Sequence, residues 1–424
     1  MSAAIQPKGW CPGALRPMLS GDGLLVRLRI SGGVVSAVAA GAIADCAQRY
    51  GNGLLDLSAR ANLQLRGVQE ASLPVLVEAL QAHGLIDESA EAEAVRNVLA
   101  SPLAGLSTDA AFDIRPYVRV LEQRLASDEA LHGLPSKFGF IVDDGGGLSL
   151  SGVGADIRFV ALHGQRFKVR LAGCDEAAVI EAAELPDVAA RLAVSFMNEA
   201  RECETPPRRM GALIALRGAA GVWRAAGLAP THQTPRVFMP PQPLGHHPLG
   251  VSGFLGLGLA FGRLSAGDLA WLADMAQAHG AGELRLTPWR AILLPGVDAH
   301  AAQDILDQAS DRFITDPTDA RLAVIACAGA PACASAQAST QDDALALAPL
   351  ARALAPSGVS LHVSGCAKGC ARPSSTAVTL VARAGFYDLV TQGRASDAPS
   401  QLGLDLTACR AALRAMAATE GARL

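Results

Sequence analysis

One stretch of this chain occurs twice. Gly51–Val68 reads GNGLLDLSARANLQLRGV, and Gly280–Val297 reads GAGELRLTPWRAILLPGV, 229 residues further on. In that register Gly51, Gly53, Leu55, Leu57, Leu65, Gly67 and Val68 meet Gly280, Gly282, Leu284, Leu286, Leu294, Gly296 and Val297. An apolar helical pattern precedes each copy, at Ser36–Tyr50 and Ala266–His279, and a strand-like run precedes each helix, at Leu24–Ile30 and Gly253–Phe261. The repeated unit is therefore strand, helix, strand, punctuated by glycine. A repeat of this length predicts two related halves, because one such unit cannot bury its own apolar face.

A second set of elements follows each unit. Phe138–Asp143, Asp156–Leu162 and Arg166–Leu171 read as three short strands, matched later by Leu361–Ser364, Thr376–Ala382 and Phe386–Thr391. Helical patterns flank them at Asp113–Ala126, Ala177–Arg201, Gln341–Ala355 and Thr407–Ala418. The product is two α+β halves about a pseudo-two-fold axis. The joint falls in Glu202–Gly245, where proline density denies helix and central strand, with Gly211–Trp223 read as one strand pair.

Bulk composition excludes several classes. Half of the 424 residues are apolar and the net charge is −4, so neither a disordered chain nor a strongly basic nucleic-acid binder fits. Met1–Gly9 lacks a signal-type apolar core, and the run Gly250–Gly262 is too short and glycine-rich to span a membrane. The expectation is a soluble, cytoplasmic protein without nucleic-acid or membrane partners. The glycines Gly256, Gly258 and Gly262 do not keep dinucleotide-fingerprint spacing, so no nicotinamide or flavin site is visible.

The nine cysteines are unevenly placed. Cys327 and Cys333 are spaced C-x5-C and Cys366 and Cys370 C-x3-C, whereas the other five are scattered. Four thiols in two loops of small residues (Ala328, Gly329, Ala334, Gly365, Ala367, Gly369) suit an iron–sulfur cluster better than the tighter knuckles of structural zinc. Small residues also let backbone N–H groups approach sulfur.

These loops resemble the cluster loops of the nitrite and sulfite reductase superfamily. DLSARANLQLRG (Asp56–Gly67) resembles its tetrapyrrole-contacting strand, RNVLASPLA (Arg96–Ala104) its next anion-facing segment and LPSKFGF (Leu134–Phe140) its lysine-bearing substrate segment. The chain departs from the reductases at Gly139, where a second lysine is expected, and the repeat carries Trp289 where an arginine stands in the first copy. The opening KGWCPGALRPMLSGDGLLVRLRI resembles that of the precorrin-3B synthases, the aerobic cobalamin-pathway branch of the superfamily.

The resemblance implies an α+β fold of two pseudo-two-fold-related halves, each a ferredoxin-like unit plus a mixed α/β unit, as in sulfite reductase hemoprotein. It divides the chain into a first ferredoxin-like half-domain (1–85), a first α+β domain (86–204), a linker with the second half-domain (205–310) and a cluster domain (311–424). It implies oxygen-dependent conversion of precorrin-3A to precorrin-3B, with a 4Fe–4S cluster on Cys327, Cys333, Cys366 and Cys370. It also implies a separate mononuclear non-haem iron of unassigned ligands, for which Cys11, His163, His246, His247 and His362 are the side chains to inspect. Electrons would come from an external donor, an NADH-linked reductase or a ferredoxin. The alternative within the same superfamily is a siroheme-dependent assimilatory sulfite or nitrite reductase.

For a polycarboxylate macrocycle, strand alternation makes Arg60, Asn62, Gln64 and Arg66 one polar face, read either as the substrate floor or as an ordinary solvent face. Lys137 and Arg96 are the candidate catalytic residues. Lys137 either steers an anion or guards a strand edge, and Arg96 either meets a carboxylate or is plain surface. Lys368, between cluster ligands, either favours the reduced cluster or is merely exposed.

Overall fold

The computed structural model describes residues 10–232, 240–250, 252–355 and 358–421, for 419–421 the backbone only. Met1–Gly9 and part of the proline-rich joint lie outside these residues.

The first half-domain runs β1 (Met18–Ser20), β2 (Gly23–Leu28), β3 (Val34–Ser36), α1 (Ala37–Tyr50), β4 (Leu54–Leu57), β5 (Leu63–Val68) and α2 (Leu73–Gln81). The first α+β domain follows with α3 (Ala90–Val95), β6 (Val98–Ala100), α4 (Arg115–Ser127), β7 (Phe140–Asp143), β8 (Ile157–Leu162), β9 (Arg166–Leu171), β10 (Glu176–Glu181), α5 (Leu185–Arg201), α6 (Met210–Arg217), α7 (Ala220–Ala225) and β11 (Thr231–His232). The second half-domain comprises β12 (Gly245–Leu249), β13 (Ser252–Gly258), β14 (Arg263–Ser265), α8 (Ala266–His279), β15 (Glu283–Leu286), β16 (Ala291–Pro295) and α9 (Ala299–Ala309). The last domain holds β17 (Val324–Ala326), α10 (Thr340–Leu354), β18 (Leu361–Ser364), β19 (Thr376–Arg383), β20 (Phe386–Gly393), β21 (Gln401–Leu404) and α11 (Leu406–Gly421).

The repeat survives in backbone detail. Ser36 and Ser265 cap α1 and α8, each side chain accepting a backbone N–H of the first turn. Positive φ recurs at equivalent positions: Gly32 (58°) and Phe261 (57°), Gly53 (76°) and Gly282 (71°), Ala61 (53°) and Arg290 (58°), Gly67 (67°) and Gly296 (83°). At Gly67 a β-carbon would sit 2.6 Å from Asn52, so glycine is needed there for space as well as for φ.

Each half-domain lends the other a strand. The first sheet has the order β1-β2-β5-β4-β14, and the second β12-β13-β16-β15-β3. Leu264 of β14 pairs with Leu55, and Val35 of β3 pairs with Leu284. Alanine-rich faces of α1 and α8 pack together, and one continuous core runs from Leu24 and Val26 through Ile43 to Leu284 and Phe313. Alanine brings the helix axes close while retaining high helix propensity.

The two α+β domains share a topology. In each, three strands are parallel (β6-β7-β8 and β17-β18-β19) and the rest antiparallel. Two expectations are corrected. Ala177–Arg201 is not one helix: its first residues form β10, where Ala177, Ala178 and Ile180 are buried beside β9, and helix begins only at Leu185. Gly211–Trp223 is not a strand pair but lies in α6 and α7, burying Leu213, Val222 and Trp223. Among the described residues no helix is long and apolar enough to cross a membrane.

The exchange makes a testable prediction. Val35→Asp, which puts an unpaired charge at a site only 2% exposed, should cost several kcal/mol. Because β3 belongs to the second sheet, urea unfolding followed by the fluorescence of Trp271 and Trp289 should shift together with the circular dichroism. Separate transitions for the two halves would count against one cooperative unit.

Candidate functional site

The four clustered cysteines leave the ends of adjacent parallel strands. Cys327 follows β17 directly, and Cys366 lies two residues beyond β18. Ligand sites favour the carboxyl ends of parallel strands, where the loops splay apart. The Gly365 N–H donates to Cys327 Sγ at 3.1 Å, and the Thr340 hydroxyl donates to the Cys327 carbonyl at 2.8 Å. A β-carbon on Gly365 would stand 2.7 Å from Ala336 Cβ, so glycine lets the two cysteine loops meet. Burial pushes the Cys370 thiol up, and so do Cys366, Cys327 and Cys333, all within electrostatic reach of it. All four are free thiols. Among the described residues no three His, Cys, Asp or Glu side chains are close enough to hold a single ion. Four thiols on two adjacent loops are the donor set a cluster would take. Lys368 is exposed.

The loop between Cys327 and Cys333 is gripped by the first half-domain. The Ala332 carbonyl accepts from Ser20 Oγ (2.6 Å), Arg66 Nη2 (2.7 Å) and the Gly21 N–H (3.2 Å). Arg66 is also held by Asp22 (2.9 Å) and Asp56 (2.9 Å), with its side chain 4% exposed. Sequence alternation made Arg66 a substrate contact, but its donors are spent on positioning this loop. Gln64 is likewise committed, its Oε1 accepting from Arg27 Nε and Nη2 at 3.0 and 2.7 Å.

Arg60 and Asn62 are not on the strand with them. They occupy a turn closed by Ser58 N–H to the Asn62 carbonyl and Ala61 N–H to the Ser58 carbonyl, and β5 begins only at Leu63. The turn sends Arg60 across to the first α+β domain, where Nη2 donates to the Lys137 carbonyl at 2.6 Å. A cleft results, lined by Arg60, Asn62, Arg96, Asn97, Gly139 and Gly154 among others, without Gln64 or Arg66.

Arg96 lines this cleft but is not a free cation. Asp87 grips it at 2.7 and 2.8 Å, the Arg29 carbonyl accepts at 2.8 Å, and Glu122 lies 3.5 Å away. Lys137 stands exposed in the loop before β7, not at a strand start.

Alternation in LLVRLRI places Arg27 and Arg29 on one face, a pattern that the sequence carries. Arg29 is 5% exposed, bonds to Asn97 through Nη1 and leaves Nε without a partner. Burial and then Arg27 push its pKa down to about 10. Burial also lowers Arg60, with Arg209 and Arg27 adding to the effect. Cys11 lies among these cations. Burial alone would push its thiol up, but a hydrogen bond with Ser136 and the charges of Arg27, Arg60 and Lys137 bring it below its ordinary value.

The histidines do not converge. His246 and His247 are neighbours on β12, each ring Nε2 bonded to a carbonyl, of Val297 at 3.1 Å and of Leu244 at 2.9 Å. His163 is exposed in a turn, and His362 is fully buried in β18. No ligand set for a mononuclear iron is drawn together among the described residues.

Exchanged half-domains, paired mixed sheets and two cysteine loops at strand ends define a protein of the nitrite and sulfite reductase type. The family described as "Nitrite/Sulfite reductase ferredoxin-like half domain" matches residues 16–83 and 249–311, the two repeat copies. The fold matches the structure of the Mycobacterium tuberculosis NirA protein, with TM-score 0.73 over 89% of this chain and 77% of that one, at 21% identity. The ferredoxin–nitrite reductase of Synechococcus elongatus is 27% identical, over 86% of this chain and 77% of its own. A precorrin-3B synthase of Sinorhizobium sp is 34% identical over 407 residues, covering 94% of this chain and 86% of its own. The chain belongs to the precorrin-3B synthase family, and it is an enzyme, an oxidoreductase of the monooxygenase type.

Two predictions separate the arginines and the thiol. Arg66→Ala strands the partly buried Asp22, while Asp56 keeps Arg263, and should cost about 3 kcal/mol of stability. Arg60→Ala should leave the urea midpoint nearly unchanged. Iodoacetamide labelling of Cys11, followed by peptide mass spectrometry, should rise with pH at a lower midpoint than an ordinary thiol. Lys137→Met should move that midpoint up, because it removes a charge that favours the thiolate.

Proposed function

We propose that this protein converts precorrin-3A to precorrin-3B, using dioxygen and two electrons. One oxygen atom becomes the C20 hydroxyl and the other leaves as water with two protons. The ring A acetate carboxylate closes a γ-lactone, contributing its own oxygen. The kinship with the Sinorhizobium enzyme supports this reaction. The geometric observation that carries the reading is the cleft between the Ser58–Asn62 turn and the first α+β domain, with Arg60 projecting into it and Arg29, Arg27 and Lys137 close by.

Several acetate and propionate groups on the macrocycle need such cations. Arg60 keeps free donors beyond its bond to the Lys137 carbonyl, and a guanidinium fork suits a carboxylate. Asn62 lines the same wall and orients the ring edge. Arg96, already neutralised, holds the wall together through Asp87 and the Arg29 carbonyl. Lys137 steers an anionic group at the cleft mouth. Gly139, in the place of a second lysine, leaves space where a reductase would present charge. Its β-carbon position lies 3.9 Å from Arg60.

Cys327, Cys333, Cys366 and Cys370 would hold a 4Fe–4S cluster, which supplies single electrons when bound. The donors to sulfur at Cys327 stabilise its thiolate, and the Ser20–Arg66 grip on Ala332 keeps Cys333 in register. An external donor, an NADH-linked reductase or a ferredoxin, would feed the cluster, in the cytoplasm. No ligand set for a second, mononuclear iron is drawn together among the described residues.

The test is direct. Purified protein with an electron source should convert precorrin-3A in air and leave it unchanged without oxygen. Labelled dioxygen should place one labelled atom in the product, at the C20 hydroxyl. Replacing any of the four clustered cysteines by serine should remove iron and acid-labile sulfide, while Cys46→Ser or Cys409→Ser should not. A siroheme spectrum with rapid sulfite or nitrite reduction, and no label incorporated, would transfer the protein to the reductase reading.

A further inference from the structure

The cleft that carries Arg60 has room for about 20 Å³, the space of roughly one or two water molecules. That admits one substituent of a tetrapyrrole but not the ring. A groove of about 460 Å³ lies next to it, within the range that small-molecule sites occupy. Val153, Gly154 and Ala155 line both cavities, so a short stretch of backbone between β7 and β8 is the partition between them.

The partition is anchored at both ends. On one side Leu150 N–H donates to Asp143 at 2.8 Å. On the other Asp156 accepts from Gly139 N–H (2.9 Å), Met210 N–H (2.8 Å) and Arg209 Nε (3.0 Å). Between them Val153 N–H reaches the Leu150 carbonyl at 2.8 Å, and Arg158 donates to the carbonyls of Leu150, at 2.8 Å, and Val153. At Gly154 a β-carbon would meet no atom within 4 Å, so the middle of the partition is bare backbone beside open space.

The groove is cationic. Arg158 and Arg170 stand directly opposite each other across the β8–β9 pair, and both line it. Alternation explains the direction, since Phe159 and Val169 fill the core on the other face of the same strands. It does not explain the charge, because like charges directly opposite on a sheet destabilise the pair. Arg158 is satisfied by two carbonyls and by no acid. Arg170 has neither a hydrogen bond nor an ion pair among the described residues. Asp175, exposed, is the one carboxylate that lines the groove, and no ion pair joins it to either arginine. A planar fork with all its donors free, in a cavity of this size, suits a carboxylate brought by a ligand.

We propose that the macrocycle lies over the Val153–Ala155 partition, with one carboxylate arm reaching Arg60 in the cleft and the opposite edge in the groove, where Arg170 binds a second carboxylate. The tetrapyrrole in this statement rests on the function proposed above; the anion-binding groove does not.

The test uses the full-length protein and three variants. Arg170→Gln removes the free cation. Gly154→Phe puts a phenyl ring on the partition and leaves every charge in place. Arg166→Gln is the control: it removes an exposed arginine from the same face of β9, outside the groove. Uroporphyrin, an octacarboxylate tetrapyrrole, is titrated by fluorescence quenching, and pyromellitate, a benzene tetracarboxylate, by calorimetry. Arg170→Gln should bind both probes about tenfold more weakly than wild type, with the thermal midpoint unchanged because no bond is lost. Gly154→Phe should weaken uroporphyrin at least as much, and Arg166→Gln should bind it as wild type does. Wild-type uroporphyrin affinity in Arg170→Gln overturns the proposal, and so does an equal loss in Arg166→Gln, which would mean attraction by overall charge. If Gly154→Phe melts lower than wild type, the comparison of Arg170→Gln with Arg166→Gln decides by itself. If wild type binds no uroporphyrin but takes pyromellitate more tightly than Arg170→Gln does, the anion groove stands and the tetrapyrrole reading has failed. If wild type binds neither probe, the groove is overturned as well.

Discussion

The exchange of β3 and β14 is the constraint on which the rest of the molecule depends. A ferredoxin-like unit of four strands would leave an open sheet edge on each half, and such edges invite pairing with other chains. Here each edge is closed by the other half, and the helices that follow the exchanged strands, α1 and α8, pack against one another. Neither half can move without breaking backbone hydrogen bonds such as Ala37 N–H to the Gly282 carbonyl and Ala266 N–H to the Gly53 carbonyl, both 2.8 Å. The two turns that face the α+β domains are consequently fixed relative to one another.

That rigidity is spent differently on the two sides. On one side Arg60 reaches the Lys137 carbonyl beside a small cleft; on the other Arg290 reaches the Val324 carbonyl at the start of β17. The link across the pseudo-axis is the Ala332 carbonyl, which takes three donors from the first half-domain although it belongs to the last domain. A cysteine loop of small residues has little apolar surface with which to order itself. Its geometry is supplied instead by hydrogen bonds from a rigid neighbour.

The repeat, the helices α1 and α8 and the strands after the first cysteine pair were legible because local pattern and tertiary demand agree there. Glycine at Gly53, Gly67, Gly282 and Gly296 marks positive φ, which sequence can register. The segment Glu176–Glu181 was not legible: Ala177, Ala178 and Ile180 fit a helical stripe as well as a strand, and only pairing with β9 decides. Arg66 misled for a different reason. Alternation correctly placed it on a polar face, but Asp22, its partner 44 residues earlier, claims the guanidinium. Charge satisfaction at that distance is a property of the fold, not of the local sequence.

The remaining feature is an imbalance of charge at the sites despite a net charge of −4 for the whole chain. Arg66 and Arg96 have their carboxylates, and burial is offset there by pairing, so both are held above the ordinary arginine value. Arg29, Arg60 and Arg290 are held below it, because burial and neighbouring arginines outweigh any acid nearby. Burial lowers structural arginines as well, Arg285 beside Glu283 and Arg158 on the Leu150 and Val153 carbonyls, so the deficit of negative charge is local to Arg29, Arg60 and Arg290, which have no ion-pair partner among the described residues. An enzyme with such a deficit is less stable empty than full, and a polyanionic ligand that binds only the folded state restores that stability by mass action. Affinity and folding draw on the same unpaired cations, so the arrangement that destabilises the free protein is the one that selects a ligand dense in carboxylates.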